Sequence, residues 1–135
     1  MTRQSKTRYP DSNPKSVIGL SKPSFYAIPA SALLHLGAAM ADGERKYGLM
    51  NWRGNSVAAS VYFDAKLRHT FAWWDAREEL APDSLVHHLG HDMACSAIIL
   101  DAIATENLID DRPAVPGAFA RMVQEWTKDY KKRRK

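Results

Sequence analysis

From Ala30 to Ala81 the chain contains no proline, although seven prolines interrupt the rest of it. An interior proline removes a helical hydrogen bond and clashes with the preceding turn, so this stretch is the part of the sequence free to build long helices. Residues 30–47 are rich in Ala and Leu, and Leu33, Leu36, Met40 and Ala41 form an apolar stripe, which predicts a first helix there. Gly43, Gly48, Asn51, Gly54 and Asn55 then predict a loop of about eight residues. A second helix is expected from Ser56 to Glu78, capped by Asn55 or Ser56, with Ser60, Phe63, Leu67, Phe71 and Trp74 at helical spacing. Ala81-Pro82-Asp83-Ser84 breaks it and caps a third, from Ser84 to Asn107. Beyond Pro113 and Pro116, the residues Val115, Phe119, Met122 and Trp126 mark an amphipathic fourth helix. No internal repeat and no period-two strand pattern is present.

The expectation is an all-α, up-and-down four-helix bundle, with an extended N-terminal arm over 1–24, a helical domain over 25–130 and a basic tail over 131–135. Helices of this length drawn from 135 residues bury a thin core, which favours a homo-oligomer, dimer or tetramer.

Charge narrows the partners. The net charge is +4, but the ends carry it: residues 25–130 hold nine Lys or Arg against fourteen Asp or Glu, and Lys131 to Lys135 are all basic. A basic groove for duplex nucleic acid is therefore disfavoured. No apolar run approaches the roughly 20 residues of a membrane span, and the N-terminus is polar where a secretion signal is apolar. These features predict a cytoplasmic protein, in the host cytoplasm if the source is viral. The single cysteine, Cys95, sits in an apolar run and is expected to be packed and unreactive.

Four of the five histidines fall between positions 69 and 91. His88 and His91 share a helix face, followed directly by Asp92. If the second and third helices form a hairpin turning at Asp83, Glu78 faces His88 and Asp75 faces His91. Two carboxylates and two imidazoles then converge on one seam, a donor set for a divalent cation of the Mg2+ or Mn2+ kind. Lys46, Arg53 and Arg68 are cations inside an acidic body and are candidates for an anion. Tyr47 and Trp52 flank the loop and could stack a base.

These residues stand in an ordered series: Lys22-Pro23, Ile28-Pro29, Gly43-Glu44-Arg45-Lys46-Tyr47-Gly48 leading to Asn51-Trp52-Arg53, then Asp64-Ala65-Lys66-Leu67-Arg68-His69, Ala72-Trp73-Trp74-Asp75 and His88-Leu89-Gly90-His91. The series, over residues 22 to about 104, resembles the phage dATP/dGTP diphosphohydrolases called MazZ, a branch of the MazG-like all-α nucleoside triphosphate pyrophosphatases. The resemblance implies an oligomeric four-helix subunit and metal-dependent cleavage between the α and β phosphates, giving a nucleoside monophosphate and pyrophosphate. In phages that replace adenine by diaminopurine, such an enzyme supplies dGMP and removes dATP or dGTP. The MazG-like pattern has two acidic pairs on consecutive helices. Asp75-x-x-Glu78 corresponds to the first, with Glu79 competing for the place of Glu78, and the second becomes His88-x-x-His91 or His88 with Asp92. The implied ligands are Asp75, Glu78, His88, His91 and Asp92, the last also a candidate water base. Lys46, Arg53 and Arg68 become phosphate contacts, and Tyr47, Asn51 and Trp52 contacts to base or sugar.

Two other readings compete. His69, His91-Asp92 and Asp101 supply the residue types of an HD-type triphosphohydrolase, which releases intact triphosphate. A non-enzymatic nucleic-acid-binding module would use the basic ends, although a solvated tail is the ordinary explanation of such a run.

Overall fold

The computed structural model describes residues 12–134. The elements in chain order are α1 (Pro14–Leu20), α2 (Ala30–Tyr47), a 3-10 turn (Asn51–Arg53), β1 (Val57–Ala58), α3 (Ala59–Trp74), α4 (His88–Ala104), β2 (Leu108–Ile109) and α5 (Ala118–Arg133). The chain is mostly helical, as expected. The first helix has the anticipated bounds, starting after Pro29 and ending at Gly48, whose φ of 94° is a conformation glycine adopts without a Cβ penalty.

Three helices build the body. α4 packs against both α2 and α3, which make little contact with each other. Trp52, Val57 and Ala102 form the buried cluster, with Met40, Tyr62, Ile98 and Leu108 packed around it. The fourth predicted helix forms as α5, but it has no buried residue and does not join the body, so the four-helix bundle is not what this subunit builds. Its amphipathic pattern established a helix with an apolar face and left open what covers that face. The basic run expected as a tail continues α5 through Lys131, Lys132 and Arg133, where cations complement the helix dipole. Within the expected N-terminal arm, residues 14–20 are helical, with the Asn13 side chain accepting from Lys15 N–H at 3.0 Å. The part of the arm before residue 12 lies outside the described residues.

The second and third helices are shorter than their periodicity implied. α3 starts at Ala59, because Val57 and Ala58 pair in parallel with Leu108 and Ile109. Neither Asn55 nor Ser56 caps it. Asp111, from beyond β2, accepts from Ser60 N–H at 2.8 Å and from the Ser60 hydroxyl, covering an open helix end from 51 residues away in sequence. α3 ends at Trp74, and α4 begins only at His88. Between them the chain makes a small hairpin of its own, bridged at Leu80 and His87 and closed by Ala81 N–H to Val86 O at 2.9 Å.

Gly90 sets the crossing of α2 and α4. A Cβ there would lie 2.7 Å from the His35 carbonyl oxygen and 3.3 Å from the His35 Cβ. Helix propensity alone predicts that Gly90→Ala stabilises by about 1 kcal/mol. Because backbone must move, we expect the opposite sign, a loss of about 1–3 kcal/mol, read as a lower midpoint in urea unfolding followed by circular dichroism. A midpoint that rises would place the helices farther apart than this.

Candidate functional site

Because α2 and α3 share α4 as a partner and splay from each other, a cleft opens between them. Its volume is about 240 Å³. α4 supplies a floor of Ala94, Cys95 and Ile98, while Trp52 and Tyr62 line the apolar end. Tyr47 and Asn51 also line the cleft, and Lys46, His69, Asp83 and His91 gather at its polar end. Cys95 is buried as expected, and burial pushes its thiol up.

Three imidazoles meet at the polar end. The His69 and His91 rings stack with centroids 4.7 Å apart and an interplanar angle of 19°. His69 Nδ1 lies 2.8 Å from His88 Nδ1, His88 Nε2 lies 2.6 Å from Glu78 Oε1, and His91 Nε2 lies 2.8 Å from Ser84 Oγ. A glutamate carboxylate only accepts, so His88 donates through Nε2, and a neutral His88 then accepts at Nδ1 from the His69 Nδ1–H. That leaves the lone pair of neutral His69 on Nε2. Burial holds His69 below its ordinary value, reinforced by the neighbouring His91 and His88, and burial does the same to His91. Both rings are therefore neutral at neutral pH, able to accept a proton.

Lys46 completes the rim. Its ammonium donates to Asp42 Oδ2 at 2.9 Å and Asp83 Oδ2 at 3.1 Å, and these bonds raise its pKa. Asp42 is a buried carboxylate: burial pushes it up, but hydrogen bonds from Lys46 and Arg45 outweigh that and hold it below the usual range. Asp83, 71% exposed, is the labile partner, whereas the Asp42 side chain is only 9% exposed.

The structure places the sequence-predicted residues unevenly. It brings Glu78 to His88, but from the hairpin rather than from a helix. Glu79 does not compete, because its carboxylate meets His87 Nε2 at 2.8 Å while His87 Nδ1 accepts the Leu89 N–H and caps α4. Asp75 is not brought to His91: it sits exposed just past the end of α3, near Trp73, Trp74 and Arg77. The expected hairpin centre at Asp83 is displaced, because α3 stops at Trp74 and its register on α4 pairs His69 with His88 and Lys66 with Asp92. His69 thus stands against His91 where Asp75 was expected. Asp92 is engaged by Lys66 and by the Thr70 hydroxyl at 2.6 Å. Arg53 grips Asp101 with two bonds of 2.9 Å, and the Trp52 indole donates to the same carboxylate at 2.6 Å. Arg68 is exposed on α3. Asp42 had no role in the sequence reading, and its only signal was its position one turn before Lys46. His69 entered only through the HD-type alternative, whose residues the structure does not assemble, since Asp92 and Asp101 serve these other partners.

A sequence model described as "dATP/dGTP diphosphohydrolase, N-terminal" matches residues 12–112. The chain belongs to the dATP/dGTP diphosphohydrolase family. It is thus a hydrolase acting on nucleoside triphosphates, and the binding-module reading falls away. No curated protein and no solved structure gave a match. Among the described residues, no helix is long and apolar enough to cross a membrane.

The diphosphohydrolase's donors can be tested against the cation that the resemblance implies. Among the described residues, no group of three or more His, Cys, Asp or Glu is arranged around a metal position. Glu78 Oε1 and His88 Nε2 are two adjacent donors. Magnesium-type ions commonly take one or two protein ligands and complete their shell with water and substrate phosphates. The pair fits a cation that arrives with the triphosphate, and does not fit one caged by protein alone.

Asp101 gives this region an acid limit. The Arg53 guanidinium and the Trp52 indole hold it down to about 2, against 3.8 for a free aspartate. A depressed carboxylate contributes stability above pH 3.8, and that contribution is lost as pH falls through about 2. Asp101→Asn is expected to melt below the wild type at neutral pH, with the two curves converging toward pH 2 in thermal scans across that range. A gap that stays constant over the whole range would remove the ion pair as its source.

Proposed function

We infer that this diphosphohydrolase cleaves dATP or dGTP between the α and β phosphates, yielding a nucleoside monophosphate and pyrophosphate with the help of Mg2+ or Mn2+. The observation that carries the reading is the two-ended cleft between α2 and α3. Its volume of about 240 Å³ lies below the roughly 300–1,000 Å³ of pockets that enclose a whole ligand. Such a space suits the base and sugar, with the phosphates left at the rim. Trp52 and Tyr62 offer aromatic surface to a base, and Asn51 both a donor and an acceptor for its edge. Tyr47 lines the same cleft.

At the rim, Lys46 takes a phosphate in place of the exposed Asp83, while buried Asp42 keeps the ammonium aimed. Arg68 is a further cation, exposed on α3, and Arg53 serves by fixing Trp52 and Asp101 in place. The divalent ion, when bound, neutralises phosphate charge and makes a bound water more acidic, and Glu78 and His88 would hold it. His69 and His91 stand beside this pair as neutral imidazoles, and Ser84 orients His91. Asp75 and Asp92 stand outside this group. The resemblance in the sequence supports a place in phage nucleotide metabolism, with dGMP supplied for diaminopurine nucleotides and dATP or dGTP removed.

Incubating dATP or dGTP with Mn2+ or Mg2+ and resolving all products tests the bond cleaved. Monophosphate with pyrophosphate is expected, and release of intact triphosphate would refute the assignment. His69→Gln and His88→Ala are expected to lower turnover about 10²–10⁴-fold with the helical circular dichroism unchanged. Asp75→Ala is expected to keep wild-type turnover. If Asp75→Ala is the inactive variant, the site is built around the exposed end of α3 and the histidine cluster is structural.

A further inference from the structure

α5 lies beyond the segment matched to the family, which ends at residue 112, and the hydrolytic site uses none of it. Phe119, Met122, Val123, Trp126 and Tyr130 recur at helical spacing on a single face, and all are exposed, Trp126 at 75%. The connection from β2 holds α5 off its own body. It contains Pro113 and Pro116, with Val115 and Gly117 in left-handed conformations.

The body has a matching vacancy. An open groove of about 800 Å³ runs between α2 and α4, lined by Ala32, Leu36, Leu89, Met93, Ala97 and Leu100. Charge is complementary as well. Residues 118–135 carry seven basic and two acidic side chains, whereas residues 25–117 carry seven basic and twelve acidic. A +5 helix with an apolar face and a −5 body with an apolar groove attract each other, and steering of this kind sets register.

We propose that α5 is an exchange arm that seats its apolar face in the α2–α4 groove of a second copy of this chain. The exchange is reciprocal, so two copies close about a two-fold axis and leave neither face open. Three aromatics from each of two helices, at roughly 150–250 Å² each, approach the roughly 1,200–2,000 Å² that stable complexes bury. The occupant is a helix in a groove, read through anchors at i, i+3, i+4 and i+7.

The test is light-scattering mass on the full chain at micromolar concentration, with a cross-linking arm. The wild type is expected at twice the chain mass, and Trp126→Glu and Phe119→Glu at half the wild-type value, with the helical circular dichroism of the body retained. In a Cys95→Ser background, a Leu100→Cys chain mixed with a Val123→Cys chain is expected to give a disulfide between chains on oxidation. A monomeric wild type overturns the proposal, and so does a dimer whose mass neither glutamate lowers. A chain carrying both new cysteines that closes within a monomer would show α5 folding into its own groove. A monomer that floats with phosphatidylserine vesicles would show that the basic amphipathic face is for lipid. Either result overturns exchange.

Discussion

The close approach of α2 to α4 at Gly90 is the contact on which the rest of the subunit depends. α4 is the partner of both other body helices, and it can serve two neighbours because small residues, Gly90, Ala94, Cys95 and Ala102, occupy its buried positions beyond His88. With His35 backbone pressed onto Gly90, α2 crosses α4 tightly at one end. α2 and α3 then have no room to pack on each other, and the cleft between them follows from the geometry. The cleft is what two helices leave when a third holds both.

A cleft of that origin would close or drift if only side chains framed it, and the loop after α2 prevents that. Asp101 on α4 receives Trp52 and Arg53 together, and the Asn107 side-chain amide donates to the carbonyls of Trp52, at 3.0 Å, and of Arg53. The two-residue parallel ladder continues the same tie by pairing the chain after this loop with the chain after α4. Trp52 thereby becomes both core and cleft wall. Every buried side-chain nitrogen and oxygen among the described residues finds a partner, so desolvating this polar framework leaves no uncompensated cost.

Much of the fold was legible in residue pattern, and the gaps have physical causes. The bounds of α2 follow from Pro29 and Gly48, both local signals. The end of α3 does not, because Asp75 and Glu78 continue its periodicity and only a tertiary hairpin through Leu80 and His87 stops the helix at Trp74. That early stop shifts the facing register, so the expected pairing of Glu78 with His88 forms while that of Asp75 with His91 does not. His69 was visible as part of a histidine-rich stretch, but its place against His88 and His91 depends on this register. Ser60 gives no hint that its cap comes from Asp111, since capping from a distant segment has no local spacing to read. α5 shows a general limit: amphipathicity states that a face must be covered and says nothing of which surface covers it.

On the proposed reading, the electrostatics of the rim explain why the site would draw charge from outside the chain. Lys46 faces Asp42 and Asp83 at once and Arg45 also pairs with Asp42, so this group of four carries no net charge before any substrate arrives. The imidazoles beside it are neutral, because burial disfavours their protonated forms. A triphosphate approaching such a rim meets cations already paired with carboxylates. Displacing exposed Asp83 frees half of Lys46's hydrogen bonding but no net charge, since the aspartate remains on the protein. On the proposed reading, only a divalent ion travelling with the phosphates makes the encounter attractive. The arrangement that looks incomplete as a metal cage, one carboxylate and one imidazole side by side, is then what a site needs when its cation enters and leaves with the nucleotide.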